Sequence, residues 1–554
     1  MQKPDDVVPS NKQFHGITTF IDSVFVEPAR HMRWSFLPPL LVYLAAGISG
    51  LTAIAGTFFI KEHLNLSAEF LASLGFWAGI PWILKMPLGH LVDIIWKWKF
   101  ALVYLGALLI AVSLSIMYGL ITHTKTLAGI APVETWFVTS AILAPVGYVI
   151  QDVVADAMTV EAVPQHDAHG IRYSDAVSKS MHTTMQTLGR IAIISGTIAV
   201  ALLNVVIFSD AENRTVGENT ETYALVYLLA LAIPVISVFG VSLGQFLQLQ
   251  RKRQYLIQGK KLEEIAVLLD SPSDHTQPNY WIFGGSLVFF IFTLSMALST
   301  FSYSQELVFS GSLLIILFLI QRLLKDLPGN QRYALIGTAT IIFVFRAIPL
   351  PGAGVTWWEI DVLGFDQQFL ATLTVVTSVL TLVGMLLLRP LIAKRTIAYV
   401  VLILTFAGGV LSLPNIGLYY GIQEWTAVWS NGVVDARFIA ILDTMLESPL
   451  GQIAMIPMLA WIARNAPANL KATYFAVMAS FTNLALSASS LGTKYLNRIF
   501  TVTREVQDTT KGEVLIPADY SQVGWLLITV AVLGIAIPVS TVLIIQSSRF
   551  RTTD

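Results

Sequence analysis

Stretches of roughly 20 apolar residues recur along this chain, each long enough for a helix to cross the hydrocarbon core of a bilayer. In that medium every backbone N–H and C=O must be paired internally, so such stretches fold as helices. They run over 39–60, 70–92, 100–121, 135–157, 178–208 and 223–246, then 280–298, 307–324 and 333–350. The last five are 369–388, 398–418, 438–461, 472–491 and 523–545, giving about fourteen in all. Composition agrees: 55% of the 554 residues are apolar, and only 12% are Asp, Glu, Lys or Arg. A soluble fold could not cover so much apolar surface with so few charges. A soluble enzyme, a disordered chain and a fibrous protein are therefore excluded, and the class is an all-α integral membrane protein. With 34 basic and 35 acidic residues there is no broad basic face, so no nucleic-acid partner is expected. Cysteine is absent, which removes disulfides and thiolate metal sites.

Six spans, a charged linker and eight further spans suggest a duplicated transporter parsed as 6 + 2 + 6. The expected units are a polar N-terminal segment at 1–38, a six-helix bundle at 39–247 and a linker at 248–278. Two inserted helices at 279–326, joined by a short hairpin, and a second six-helix bundle at 327–554 complete the chain. Positive charge is biased to one side: Arg30, Arg33, Lys97, Lys99, Arg172, Lys179, the linker cluster, Lys325, Arg389 and Arg464. The positive-inside rule puts that side, and both termini, in the cytoplasm. The loops around Trp357 and Trp425 hold no Lys or Arg and are read as outer loops. The last outer loop, with Lys494, Arg498, Arg504 and Lys511, runs against the trend.

A charge inside the bilayer is costly and marks a cavity or a partner. Asp152 and Asp156 are four residues apart in the fourth span, hence on one helical face, with Glu161 near its cytoplasmic end. Arg190 lies inside the fifth span. Either it locks a structural pair with Asp152 or Asp156, or it modulates a proton site there. Asp443 and Glu447 repeat the i, i+4 pattern in the matching span of the second half. They are candidates for proton coupling, the alternative being hydrogen bonds to neighbouring helices or a pair with Arg437. Arg346 precedes Pro349 and Pro351 and either meets an anionic solute or snorkels to the outer interface. Asn483 is a candidate solute-binding amide or inter-helix glue. His166 and His169 flank Asp167 in a loop without a third ligand, so no metal site is expected. Asn213-Arg-Thr215 is a glycosylation sequon only in a secretory context, and no phosphate-binding loop supplies an ATP-driven engine.

The end of the second span reads Pro81-Trp82-Ile-Leu-Lys85-Met-Pro87-Leu-Gly89-His-Leu-Val-Asp93. Two more stretches stand out: Asp152-Val-Val-Ala-Asp156-Ala-Met-Thr-Val-Glu161, and Ala472-Thr473-Tyr-Phe475-Ala476 continuing to Asn483. Together these resemble the folate–biopterin transporter family, a branch of the major facilitator superfamily. The likeness touches both halves and covers most of the chain. The basic pair usual after the acid of helix two appears here as Trp96-Lys97-Trp98-Lys99, and the two inserted helices fall outside the usual twelve-helix plan.

The resemblance implies a fold of two six-helix bundles working by alternating access. It implies a small flat solute of the folate or pterin kind, moved with protons across a cell membrane by a monomer without a cofactor. Pro81, Trp82, Lys85, Gly89, Asp93 and Glu161 are then gate elements. Asp152, Asp156, Asp443 and Glu447 are coupling candidates, and Arg190, Arg346 and Asn483 are solute-binding candidates. Rival readings are a transporter of peptides or muropeptides, an intramembrane enzyme and a non-transporting sensor or scramblase. The first span carries no charge, which argues against the peptide carriers. No mid-span His set supports an enzyme.

Overall fold

A computed structural model describes residues 33–552 except 65, 84, 96–97, 164–174, 212–213, 262–264, 266–279, 298, 300, 324–328, 395, 452–470 and 508–513. The first span is two helices in series, α1 (Leu37–Ile48) and α2 (Ala53–His63), joined by a 3-10 turn at Ser49–Thr52. The second is also divided, into α3 (Ala68–Ile83) and α4 (Lys85–Ile94). Next come α5 (Lys99–Thr122), α6 (Val133–Ala162) and α7 (Asp175–Ile207). Then α8 (Val216–Ala230) turns at Leu231 into α9 (Ala232–Ile257). A hairpin of α10 (Tyr280–Ala297) and α11 (Ser304–Leu323) follows.

Beyond it lie α12 (Gly329–Arg346), α13 (Ala353–Asp361), α14 (Gln367–Lys394), α15 (Ile397–Tyr419) and short α16 (Ile422–Trp429). The chain finishes with α17 (Ala436–Gly451), α18 (Lys471–Ile499) and α19 (Val523–Gln546). An antiparallel hairpin of β1 (Val506–Gln507) and β2 (Val514–Ile516) precedes α19. Among the described residues, nine helical stretches are long and apolar enough to cross a membrane. The end of the molecule from which α1 starts and α9 leaves is called the linker end, and the opposite one the far end.

Two bundles result. In the first, α1 packs on α7 and α9, and α5 on α6; in the second, α14 packs on α17, α15 on α19, and α12 on α18 and α19. They meet along two seams, α3 against α18 and α7 against α14. The inserted hairpin sits beside the first seam, α11 on α18 and α10 on α4. Side chains exposed at mid-helix, such as Leu108, Val235, Phe239, Val288 and Leu543, are apolar and suit a lipid surround. Lipid tails give no hydrophobic drive for helix pairing, so close contact must come from shape. The α5–α6 pair shows this: a Cβ on Gly106 would lie 2.6 Å from the Gly147 carbonyl oxygen, and the reverse substitution meets the same distance.

The ninth span departs most from the sequence reading. Pro349 and Pro351 stop α12, because a proline has no N–H to continue the ladder. The segment around Trp357, expected as a loop, is instead the helix α13, with Trp357 and Trp358 buried. The backbone groups freed at the break are taken by one face of α18 at four-residue spacing. Ser489 Oγ donates to the Ile348 carbonyl (2.6 Å), Leu350 N–H donates to Thr493 Oγ1 (2.9 Å), and Asn497 Nδ2 donates to the Pro351 carbonyl (2.9 Å). Irregular backbone is tolerated at membrane depth only when paired in this way. Thr493→Val keeps the shape but orphans the Leu350 N–H. It is expected to lower stability by about 1–3 kcal/mol, read as a reduced melting temperature of the purified protein in detergent.

Other boundaries also shift. α18 continues past 491 to Ile499, so Lys494 and Arg498 lie in its final turns rather than in a loop. α9 extends to Ile257, so the first part of the expected linker, including Arg251, Lys252 and Arg253, is helix. Water supports those charges where the bilayer would not. Thr215 caps α8 in a reciprocal capping box with Glu218, whose carboxyl is held below its usual range by the Thr215 backbone N–H and then by its hydroxyl. His166, Asp167, His169 and Asn213 lie outside the described residues, as do the side chains of Asp93 and Glu447.

Candidate functional site

The charged centre of the first bundle is built from four helices. Asp152 and Asp156 project from one face of α6, as their spacing requires. The cation they meet is Lys85 of α4, with Nζ 2.6 Å from Asp152 Oδ2 and 2.7 Å from Asp156 Oδ2. Tyr43 of α1 donates its hydroxyl to Asp156 Oδ1 at 2.6 Å. Gly189 of α7 makes room for that ring, since a Cβ there would sit 2.8 Å from Tyr43 Cε2. Its neighbour Arg190 is exposed, and its charge is felt at Asp152 and Tyr43. The structural pair expected between Arg190 and the two acids is thus filled by Lys85, leaving Arg190 open. The Asp156 side chain is 47% exposed. Charged groups exposed inside spans face an aqueous passage, since lipid would not hold them.

Glu161, further toward the linker end of α6, sits in a separate clamp. Lys99 Nζ of α5 lies 3.0 Å from Glu161 Oε2, and Gln248 Nε2 of α9 donates to Oε1 at 2.6 Å. This ties three helices of one bundle together. Lys85 likewise acts within its bundle, not across the seam. The seam is crossed one turn earlier, where Asn483 Nδ2 of α18 donates to the Trp82 carbonyl at 3.1 Å. Pro81 is buried within α3, and Gly89 lies in α4.

In the second bundle Asp443 is buried on α17, and Asn415 Nδ2 of α15 donates to its Oδ2 at 2.9 Å. Glu359 of α13 lies close enough for its charge and that of Asp443 to act on each other. Sequence reasoning missed Glu359, Tyr43 and Asn415. Glu359 was hidden by the assignment of its segment to a loop; the buried-type pair Trp357-Trp358 just before it was the available signal. Arg437 turns toward α14, bonding the Gly364 carbonyl at 3.0 Å, with Asp366 at 3.8 Å. Arg346, at the end of α12, is partly buried.

The far end is shut. Lys61 Nζ of α2 lies 2.5 Å from Asp361 Oδ1 at the end of α13, and Tyr520 also donates to Asp361. Beside it, Gln367 Nε2 of α14 donates to the Tyr223 hydroxyl of α8 at 2.9 Å. An apolar cluster of Phe58, Phe59, Leu66 and Ala371, drawn from both bundles, lies with these ties.

Two helical bundles meeting along paired seams, with charges set inside the spans, define a membrane transporter of the major-facilitator type. The fold is similar to that of a POT family transporter solved with 5-aminolevulinic acid, at TM-score 0.59 and 13% identity, covering 93% of this chain and 96% of that one. It is also similar to the nucleoside transporter NupG, at TM-score 0.51 and 11% identity, covering 93% of this chain and all of that one. Residues 46–552 match the BT1 family, and the chain belongs to it. A curated relative, the folate-biopterin transporter of Synechocystis sp., is 22% identical over 455 residues, 82% of this chain and 72% of the relative. The protein is therefore a multi-pass membrane transporter and not an enzyme, and the resemblance read from its motifs holds.

Proposed function

We propose that this transporter carries a folate- or pterin-like solute across a cell membrane, coupled to protons, by rocking its two bundles about the α3–α18 and α7–α14 seams. The observation that carries the coupling is Lys85 held between Asp152 and Asp156. One cation facing two carboxylates leaves room for one proton: when either acid is neutralised, Lys85 pairs with the other and net charge returns to zero. The Tyr43 hydroxyl senses the proton because its bond to Asp156 Oδ1 is charge-assisted only while that carboxylate is ionised. Half-exposed Asp156 is the entry point for the proton, and Arg190, beside it and open, meets the solute. Asp443, with Glu359, is the second coupling candidate, since a proton relieves the repulsion between neighbouring carboxylates; Glu447 joins it by its i, i+4 spacing in the sequence. The curated relative supports the solute class, and Asn483 serves the seam through Trp82.

By the positive-inside rule the linker end and both termini are cytoplasmic. The far-end ties then close the outer side, and the protein acts as a monomer open toward the cytoplasm. The test is uptake of labelled folate and biopterin by the full chain in liposomes under an imposed pH gradient. Asp443→Asn and Glu447→Gln are each expected to lose gradient-driven accumulation while keeping solute exchange. Full gradient dependence in both variants would remove the second bundle from the coupling path. Wild-type protein that accumulates neither solute would refute the substrate class.

A further inference from the structure

We infer that Arg346 is the anchor for a carboxylate on the transported solute, so that this chain selects folate-type conjugates, which carry carboxylates, over uncharged pterins. The inference rests on the proposed solute class. Four lysines at the bundle interior or its ends have acids: Lys85 has Asp152 and Asp156, Lys99 has Glu161, Lys61 has Asp361 and Lys494 has Glu306, while Arg190 is open but exposed. Arg346 differs. Its Nη1 is buried and has no hydrogen-bond partner among the described residues.

The alternative, that Arg346 snorkels to the interface, conflicts with this geometry. A snorkelling guanidinium keeps its N–H groups in water, whereas Nη1 of Arg346 is buried. The Ile348–Pro351 break that follows Arg346 is pinned to Ser489, Thr493 and Asn497 of α18. A partly buried guanidinium with one buried, unpaired N–H group is unfavourable at membrane depth and is retained where an anion visits it. Its planar fork matches a carboxylate in two parallel hydrogen bonds. On the same helix face, one turn earlier, Phe343 stacks on Phe481 of α18, with centroids 4.6 Å apart and planes 28° apart. Phe343 itself is only partly buried, so a flat ring joined to a carboxylate tail would meet one aromatic edge and the cation on one helix face.

The test measures KM for folate (two carboxylates), pteroate (one) and biopterin (none) with wild type, Arg346→Gln and Arg346→Lys in liposomes. Loss of a charge-assisted bidentate contact predicts a folate KM raised roughly 10- to 100-fold in Arg346→Gln. Pteroate should follow, biopterin should stay within about twofold, and Arg346→Lys should fall between, since a point charge replaces the fork. Folate, but not biopterin, should raise the wild-type melting temperature by a margin that Arg346→Gln removes. Equal loss for all three solutes, an unchanged folate KM, or a wild-type preference for biopterin overturns the inference while leaving the transport reading intact. Wild type that carries none of the three overturns both.

Discussion

Replacing Lys85 with methionine is expected to abolish concentrative uptake and to destabilise the protein markedly. Lys85 Nζ lies within 2.7 Å of an oxygen of each of Asp152 and Asp156. Its removal leaves two carboxylates on one helix face with no ammonium between them. Breaking a fully buried pair costs about 3–5 kcal/mol; because Asp156 is 47% exposed, water moderates this to about 2–4 kcal/mol. The Tyr43 hydroxyl cannot replace the missing cation, since it already donates to Asp156. A second variant separates folding from coupling. Lys85→Met with Asp152→Asn removes one charge of each sign and should recover most of the lost melting temperature, but not the response to a pH gradient. If the double variant still accumulates solute with full gradient dependence, the Lys85 cluster is a structural lock and not a coupling site. If Lys85→Met alone is stable and active, the cluster is neither.

Tethering the far end should stop transport outright. Lys61 and Asp361 belong to different bundles and meet at 2.5 Å. Gln367 and Tyr223 make a parallel tie, and apolar side chains of both bundles pack with them. Alternating access requires this contact to open once per cycle. The chain has no cysteine, so Lys61→Cys with Asp361→Cys introduces two thiols into a clean background. A short reducible bis-thiosulfonate bridge between them should cut net uptake at least about tenfold, a barrier increase of about 1.4 kcal/mol or more. A reductant should restore it. Binding of solute from the linker end should persist in the bridged protein. Transport at an unchanged rate after complete bridging would show that this end does not open. The Lys61 and Asp361 side chains are 18% and 28% exposed, and Tyr520 still donates to Asp361 when the lysine is gone, so Lys61→Gln alone should slow transport far less than the bridge. The contrast separates a gate from a stabilising bond.

Much of the fold is legible in the residues because a bilayer leaves few alternatives. The apolar run from Phe100 to Ile121 becomes α5 within a residue or two at each end, and the i, i+4 acids at 152 and 156 share a face because helix geometry dictates it. The ninth span was harder. Pro349 and Pro351 announce a break, but whether helix resumes depends on what receives the freed carbonyls and N–H groups. The receivers, Ser489, Thr493 and Asn497, lie about 140 residues away. Glu359 became a site residue only because helix does resume there.

The same distinction governs the candidate site. Length, hydropathy and the scarcity of charge determined by themselves that this chain spans a membrane many times and which few charges lie inside the spans. Those properties depend on transfer from water to lipid, which each segment meets alone. Which charge meets which was decided only by tertiary packing. Arg190 and Lys85 were both within plausible reach of Asp152 and Asp156. The rotation of α4 and α7 about their own axes, set by close contacts such as Gly189 against Tyr43, placed the lysine between the acids and left the arginine open. Rotational setting depends on the shapes of several helices at once, and no single stretch of sequence contains it.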